Sequence, residues 1–154
     1  AQSHGFEPQD QQALVIGCGG AGSAIAHALC EAGVSFLAIS DSDAPRVERL
    51  AAALTAEFPR ISIATEIGDP SRYDLVANAT PLGMKAGDPL PLTVDAITLL
   101  KSTAHVADVV TSPEVTPFLE AVRARGLSTH TGPEMAKAQL GLLGAFMGVL
   151  GADD

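Results

Sequence analysis

The sequence predicts an α/β protein, a doubly wound parallel sheet in three layers with strand order 3-2-1-4-5-6. Three observations carry that expectation. Short apolar runs alternate with helical stretches and are joined by short connections, a pattern that gives parallel strands with helices on both faces. A glycine turn, Gly17-Cys18-Gly19-Gly20-Ala21-Gly22, stands between the first apolar run and the first helical stretch. The apolar residues are small: 47% of the 154 residues are hydrophobic, with no Trp and one Tyr. A core of Ala, Leu, Val and Ile suits helices lying close on a sheet covered on both faces.

Residues 1–12 are polar and read as a mobile lead-in; residues 13–154 are short enough for one domain. The first strand is Ala13 to Ile16. The first helix runs from Gly20 to Ala32, with Ala21, Ile25, Ala28, Leu29 and Ala32 at helical spacing, and Gly33 stops it. A second strand, Ser35 to Ser40, ends at Asp41. The second helix, Pro45 to Glu57, takes Asp43 as its N-cap and Pro45 in its first turn. Ile61 to Thr65 and Tyr73 to Asn78 read as strands three and four. The loop from Thr80 to Leu92 is long and rich in Pro and Gly, as functional loops often are. A short helix at Val94 to Leu100, a strand at Ala104 to Val109, a helix at Pro113 to Arg125 and a strand at Leu127 to His130 follow.

The stretch from Pro133 to Leu150 reads as a last helix, uncharged from Ala138 to Ala152. Gly141, Gly144, Gly148 and Gly151 fall three, four and three residues apart, along one seam. Each costs about 1 kcal/mol of helix propensity relative to Ala. A seam without side chains lets another backbone approach, in this domain, a further domain or a second copy. The stretch is too short for a membrane span.

The net charge of −9, with nine dispersed basic residues, argues against nucleic acid or an anionic membrane as partner, since both need basic clusters. Cys18 and Cys30 have no metal spacing and no geometry for a disulfide, which fits a reduced, cytoplasmic chain. His105 and His130 fall in strands five and six, where a metal pair at the carboxyl edge is a minor alternative; His4 and His27 suggest no role. No metal is expected.

The glycine turn carries the chemistry. Gly17 lets the chain turn, Gly19 leaves the backbone open to a pyrophosphate, and Gly22 lets the helix lie close. The free N–H groups and positive dipole end of the helix then face phosphate. Strand, turn and helix together make Gly17, Cys18, Gly19, Gly20, Ala21 and Gly22 a candidate dinucleotide-binding fingerprint of a Rossmann-like fold. Asp41 stands 24 residues after Gly17, near where this fingerprint puts the acid that accepts ribose hydroxyls. A carboxylate there repels a 2′-phosphate, so Asp41, with Ser42 and Asp43 beside it, favours NAD over NADP. Arg46 is the counterweight, because it could pair with that phosphate.

Asn78-Ala79-Thr80-Pro81-Leu82-Gly83-Met84 lies at the carboxyl end of strand four, beside the point where the strand order reverses. This NATPLGM resembles the signature of the shikimate dehydrogenase family and its quinate-using relatives. The turn Gly17 to Ala21 is similar to that family's GAGGA. Asp108 to Leu119 is similar to its DxxYxPxxTPxL, and Gly132 to Gln139 to its GxGMLxxQ. The matches run in order from Gly17 to Gln139. The resemblance implies that the glycine turn holds the pyrophosphate and that Asn78, Ala79, Thr80 and Pro81 line the cofactor. It implies that Val109 offers its backbone to the nicotinamide, that Gly132 and Met135 flank that ring, and that Gln139 reaches a hydroxy-acid substrate. The family moves a hydride between NAD(P) and a ring carbon bearing a hydroxyl or ketone.

Three positions depart from the pattern: Thr111 stands in place of a Tyr, Glu134 in place of a Gly, and Asp41-Ser42-Asp43 in place of the Asn-Arg-Thr of NADP-using members. They imply a divergent, NAD-linked or quinate-like branch. The family's catalytic Lys–Asp pair belongs to an N-terminal substrate domain that this sequence does not contain. Of Lys85, Lys101 and Lys137, Lys85 lies nearest the expected nicotinamide end but reads as an exposed loop residue. No catalytic residue is therefore expected here, and the chain reads as the cofactor-binding half of a dehydrogenase that needs a substrate domain or a second copy. The alternatives are a stand-alone dinucleotide-binding module without catalysis and, weakened by NATPLGM, a methyltransferase on the same fold.

Overall fold

The computed structural model describes residues 9–80, 88–108 and 116–130. Their strands are β1 (Gln12–Ile16), β2 (Phe36–Ser40), β3 (Ser62–Ala64), β4 (Leu75–Asn78), β5 (His105–Asp108) and β6 (Ser128–His130). They form one six-stranded sheet in the order β3-β2-β1-β4-β5-β6, with every pairing parallel. The helices are α1 (Gly20–Glu31), α2 (Ala44–Glu57), α3 (Val94–Leu99) and α4 (Pro117–Arg123). The expected strand order is the observed one.

The central strands are buried on both sides, so their side chains sort by parity into two cores. Ala13 and Val15 of β1 join Leu37 and Ile39 of β2 and Leu75 and Ala77 of β4 in one core, under α1 and α2. Leu14 and Ile16 join Ala38, Val76 and Val106 in the other, under α3 and α4. Parallel crossovers are right-handed in nearly all proteins. Growth of the sheet from β1 to β3 therefore puts α1 and α2 on one face. Restarting beside β1 at β4 and growing the other way puts α3 and α4 on the opposite face.

Local sequence sets the boundaries. Ile25, Ala28 and Leu29 of α1 are buried as their spacing requires, together with Gly22, Ala26 and Cys30; Ala21 and Ala32 are only partly covered. The helix ends where the Gly33 N–H donates to Cys30 O and the Val34 N–H donates to Leu29 O, the paired bonds of a Schellman cap. Asp43 caps α2 by accepting from the Arg46 N–H, with Pro45 in the first turn. β1 starts at Gln12, and Asp10 N–H already donates to Gly33 O at 2.8 Å, so the last residues of the polar lead-in pack on the domain.

Two elements differ from expectation. A 3-10 turn at Pro70–Arg72, capped by Asp69, precedes β4. The helix expected from Pro113 begins at Pro117, because Thr116 is extended and its hydroxyl accepts from the Leu119 N–H. A Thr followed by Pro is a strong helix start. The expected helix at Pro133 to Leu150 lies outside the described residues. No helix among the described residues is long and apolar enough to cross a membrane.

Candidate functional site

The carboxyl ends of β1 and β4 lie side by side, with Ile16 paired to Asn78. Chain leaving β1 goes to one face and chain returning from β4 serves the other, which opens a crevice at this switch point. The glycine turn fills its floor. Gly17 has φ +106° and donates its N–H to Ser40 O at 2.6 Å. A Cβ on Gly17 would meet the backbone of Ala79 at 2.9 Å, and one on Gly22 would lie 1.7 Å from Gly17 O. Gly17 and Gly22 are thus fixed by sterics: the turn folds back on itself and lies against the segment after β4.

Gly19 is the N-cap of α1 and gives it no side-chain cap. By contrast Asp43, Thr93 and Thr116 cap α2, α3 and α4. The first-turn amides of α1 are thus left to an outside acceptor, at the positive end of the helix dipole. A Cβ at Gly20 would meet nothing within 4 Å, and one at Gly19 would lie 3.8 Å from Arg46 Nη1. The guanidinium of Arg46 therefore overhangs the turn.

Asp41 ties this turn to the end of β2. Its Oδ2 accepts from the Cys18 N–H at 2.7 Å and its Oδ1 from the Asp43 N–H at 2.9 Å. Arg46 Nη1 lies 3.4 Å from Oδ2, and Arg46 Nη2 lies 3.9 Å from Asp43 Oδ2. The side chain of Asp41 is 9% exposed against 46% for Arg46. Burial pushes the Asp41 carboxyl up, but the Asp43 and Cys18 amides and Arg46 outweigh it and hold it below the usual carboxylate range. Burial, then the Asp41 charge, pushes the Cys18 thiol up to about 11, with Arg46 pulling the other way. Cys18 is therefore a protonated packing residue at neutral pH. Cys18 and Cys30 are both free, as the sequence suggested.

A buried polar chain stands at the carboxyl ends of β4 and β5. Asn78 Oδ1 accepts from the Thr80 N–H at 3.0 Å and from Thr80 Oγ1 at 2.6 Å. Asn78 Nδ2 donates to Asp108 Oδ1 at 3.1 Å, and Thr116 Oγ1 donates to Asp108 Oδ2 at 2.9 Å. Asn78, Asp108 and Thr116 are all 0% exposed. In the sequence, Asp108 and Thr116 stand out only within the longer stretch Asp108 to Leu119. Their signal was an acid ending an apolar strand and a Thr-Pro helix start.

The structure brings together Gly17, Cys18, Gly19, Gly20, Ala21, Gly22, Asp41, Ser42 and Arg46 around the turn, with Asn78, Ala79 and Thr80 beside it. Pro81, Val109, Gly132, Met135 and Gln139, with Lys85 and Lys137, lie outside the described residues. Lys101 does pair with an acid, Asp74, at 2.7 Å. That pair precedes β4 and so sits at the amino edge of the sheet, opposite the crevice. The histidine pair is corrected: His105 opens β5 opposite Ser128, while His130 lies opposite Ala107, so the register keeps the two at different depths. No cluster of three or more His, Cys, Asp or Glu among the described residues could hold a metal.

Known proteins share this fold. No protein-family model matches the chain. Shikimate dehydrogenase (NADP(+)) of Rubrobacter xylanophilus is 39% identical over 138 residues, 85% of this chain and 46% of that enzyme. Quinate dehydrogenase from Corynebacterium glutamicum, solved in complex with NAD, matches at TM-score 0.72 and 32% identity, over 90% of this chain and 49% of its own. Shikimate 5-dehydrogenase from Listeria monocytogenes, solved with shikimate and NAD, matches at TM-score 0.75 and 25% identity, over 92% and 52%. Over most of its own length the chain is similar to shikimate and quinate dehydrogenases. It spans about half the length of the relatives it matches. Of the family-like motifs, the glycine turn, the start of NATPLGM and the two ends of the Asp108 to Leu119 stretch fall within the described residues, and the first two meet at the switch point.

Two outcomes follow from this geometry. Gly22→Ala forces the turn apart and lowers stability by about 1–3 kcal/mol, as overpacking does, whereas Gly20→Ala is neutral or slightly stabilising; paired urea melts read the difference. Asp41→Asn lowers stability at pH 7 by roughly 1 kcal/mol, a low value for a charged hydrogen bond because the Arg46 end is exposed. The folded-state pKa of Asp41 is depressed, so its contribution is full above the unfolded value and is lost as pH falls through the folded one. Melts from pH 7 down to pH 2 should show the gap between wild type and Asp41→Asn closing on the acid side; a gap constant with pH would refute this origin.

Proposed function

We propose that this domain binds a nicotinamide dinucleotide and serves as the cofactor half of a shikimate- or quinate-type dehydrogenase. The observation that carries the reading is the uncapped start of α1, held at the β1–β4 switch point by a turn with no room for side chains at Gly17 and Gly22. The bound cofactor would supply a hydride acceptor or donor for a cyclic hydroxy acid or its ketone. The amides at Gly19 to Gly22 would hold its pyrophosphate. Asp41 and Ser42 would meet the adenosine ribose, and Asn78, Ala79, Thr80 and Pro81 would line the path to the nicotinamide. Val109, Gly132 and Met135 would surround that ring, and Gln139 would reach the substrate. The acid–base group for the hydroxyl would come from a substrate domain or a second copy of the chain, since the Lys101–Asp74 pair stands at the wrong edge of the sheet.

The cofactor we favour is NAD. The names of the relatives carry both dinucleotides, but here the guanidinium of Arg46 is already engaged by Asp41 and Asp43. A 2′-phosphate would have to break those contacts and approach two carboxylates. Calorimetric titration should give NAD⁺ a dissociation constant about tenfold lower than that of NADP⁺, a difference of about 1.4 kcal/mol. Asp41→Ala should erase that preference. Tighter NADP⁺ in the wild type would refute the NAD assignment, and no binding of either would sink the dinucleotide reading.

A further inference from the structure

We propose that Asp108 is a positioning residue for the nicotinamide half of the site, acting through the carboxamide of Asn78. The inference rests on the dinucleotide reading above and goes beyond it. Asn78, Asp108 and Thr116 are the buried polar residues of the described core, and a buried polar group costs stability unless it is hydrogen-bonded. Capping α4 needs only Thr116, whose hydroxyl accepts from the Leu119 N–H at 3.2 Å. The carboxylate of Asp108 does something else. Both of its oxygens accept, Oδ1 from Asn78 Nδ2 and Oδ2 from Thr116 Oγ1, so it meets Asn78 at Nδ2 and not at Oδ1. That choice turns Asn78 Oδ1 toward Thr80, where it takes both the N–H and the hydroxyl. Ala79, between them, is the segment packed on Gly17. Asp108 thus sets the polarity of one amide, and the amide sets the backbone path of residues 78–80 along the crevice.

The sheet divides the work. The glycine turn and Asp41 belong to the β1-β2-β3 half, while Asn78 and Asp108 end β4 and β5 in the other. Each half of such a sheet serves one mononucleotide. Loss of Asp108 therefore weakens the nicotinamide end and spares the adenosine end. ADP carries the adenosine and pyrophosphate alone, so the ratio of NAD⁺ to ADP affinity reads the effect, and a general loss of stability leaves it unmoved.

Calorimetry on the full chain, below the melting temperature of each variant, tests this. Asp108→Ala should weaken NAD⁺ about tenfold and ADP less than about twofold, the first being the loss of about one buried hydrogen bond. Asp108→Asn can keep an oxygen toward Asn78 and give its NH₂ to Thr116 Oγ1, and should restore the ratio. Thr116→Val should lower the melting temperature with the ratio unchanged. An unchanged ratio in Asp108→Ala, or an equal shift in Thr116→Val, overturns the proposal while wild-type binding leaves the dinucleotide reading standing; a wild type that binds neither ligand overturns both. Should Asp108→Ala fail to fold, the side-chain amide resonances of Asn78 in the wild type decide. They should move with NAD⁺ and not with ADP, and an equal response to ADP overturns the proposal.

Discussion

The close approach of the glycine turn to the ends of three strands is the constraint on which the site depends. Gly17 bonds to the end of β2 through Ser40 and lies against the segment after β4 through Ala79. Gly22 then seats the first turn of α1 on the carbonyl of Gly17. No side chain fits at either place, so backbone sterics set the axis of α1 and aim its bare N-terminus. Aim fixed by sterics survives changes of charge or solvent that would loosen an aim fixed by side-chain contacts.

Electrostatics completes what sterics begins. The chain is acidic overall, which opposes an anionic ligand at long range. Local partial charge answers this at short range: the α1 amides have no capping carboxylate and no acid in the first turn. Asp41, the nearest acid, spends its two oxygens on the amides of Cys18 and Asp43 and on Arg46. It is a brace for the turn, and since a carboxylate offers about four lone-pair directions it retains room for a further donor.

Much of this was legible in the sequence, and for identifiable reasons. The parallel sheet followed from the alternation of short apolar runs with helical stretches, and its order from the dinucleotide fold that the glycine turn indicates. Asp43 and Gly33 marked helix ends because capping is a local matter. What failed to show was nonlocal or depended on a competing cap. α4 starts at Pro117 because the Thr116 hydroxyl caps it there. The bond between Asn78 and Asp108 joins residues 30 positions apart, which no periodicity reports. The brace at Asp41 was likewise hidden: spacing made it a ribose acceptor, while only the folded turn revealed the Cys18 amide aimed at it.

The described residues of the crevice shape a floor rather than offer a proton. Hydride transfer to or from a hydroxyl-bearing carbon needs a group that takes or returns the hydroxyl proton, placed within hydrogen-bond reach. The described residues at the crevice are poor candidates. Cys18 is held protonated, Asp41 is held ionised by its amide donors, and Asp108 is sealed behind Asn78 and Thr116. His105 is kept neutral by burial, with Asp74 only partly opposing, and stands with the Lys101–Asp74 pair at the far edge. Each ionisable group near the turn is thus committed to shaping the floor of the site. Among the described residues, a floor whose carboxylates are spent on amides is built to hold a shape rather than to exchange a proton.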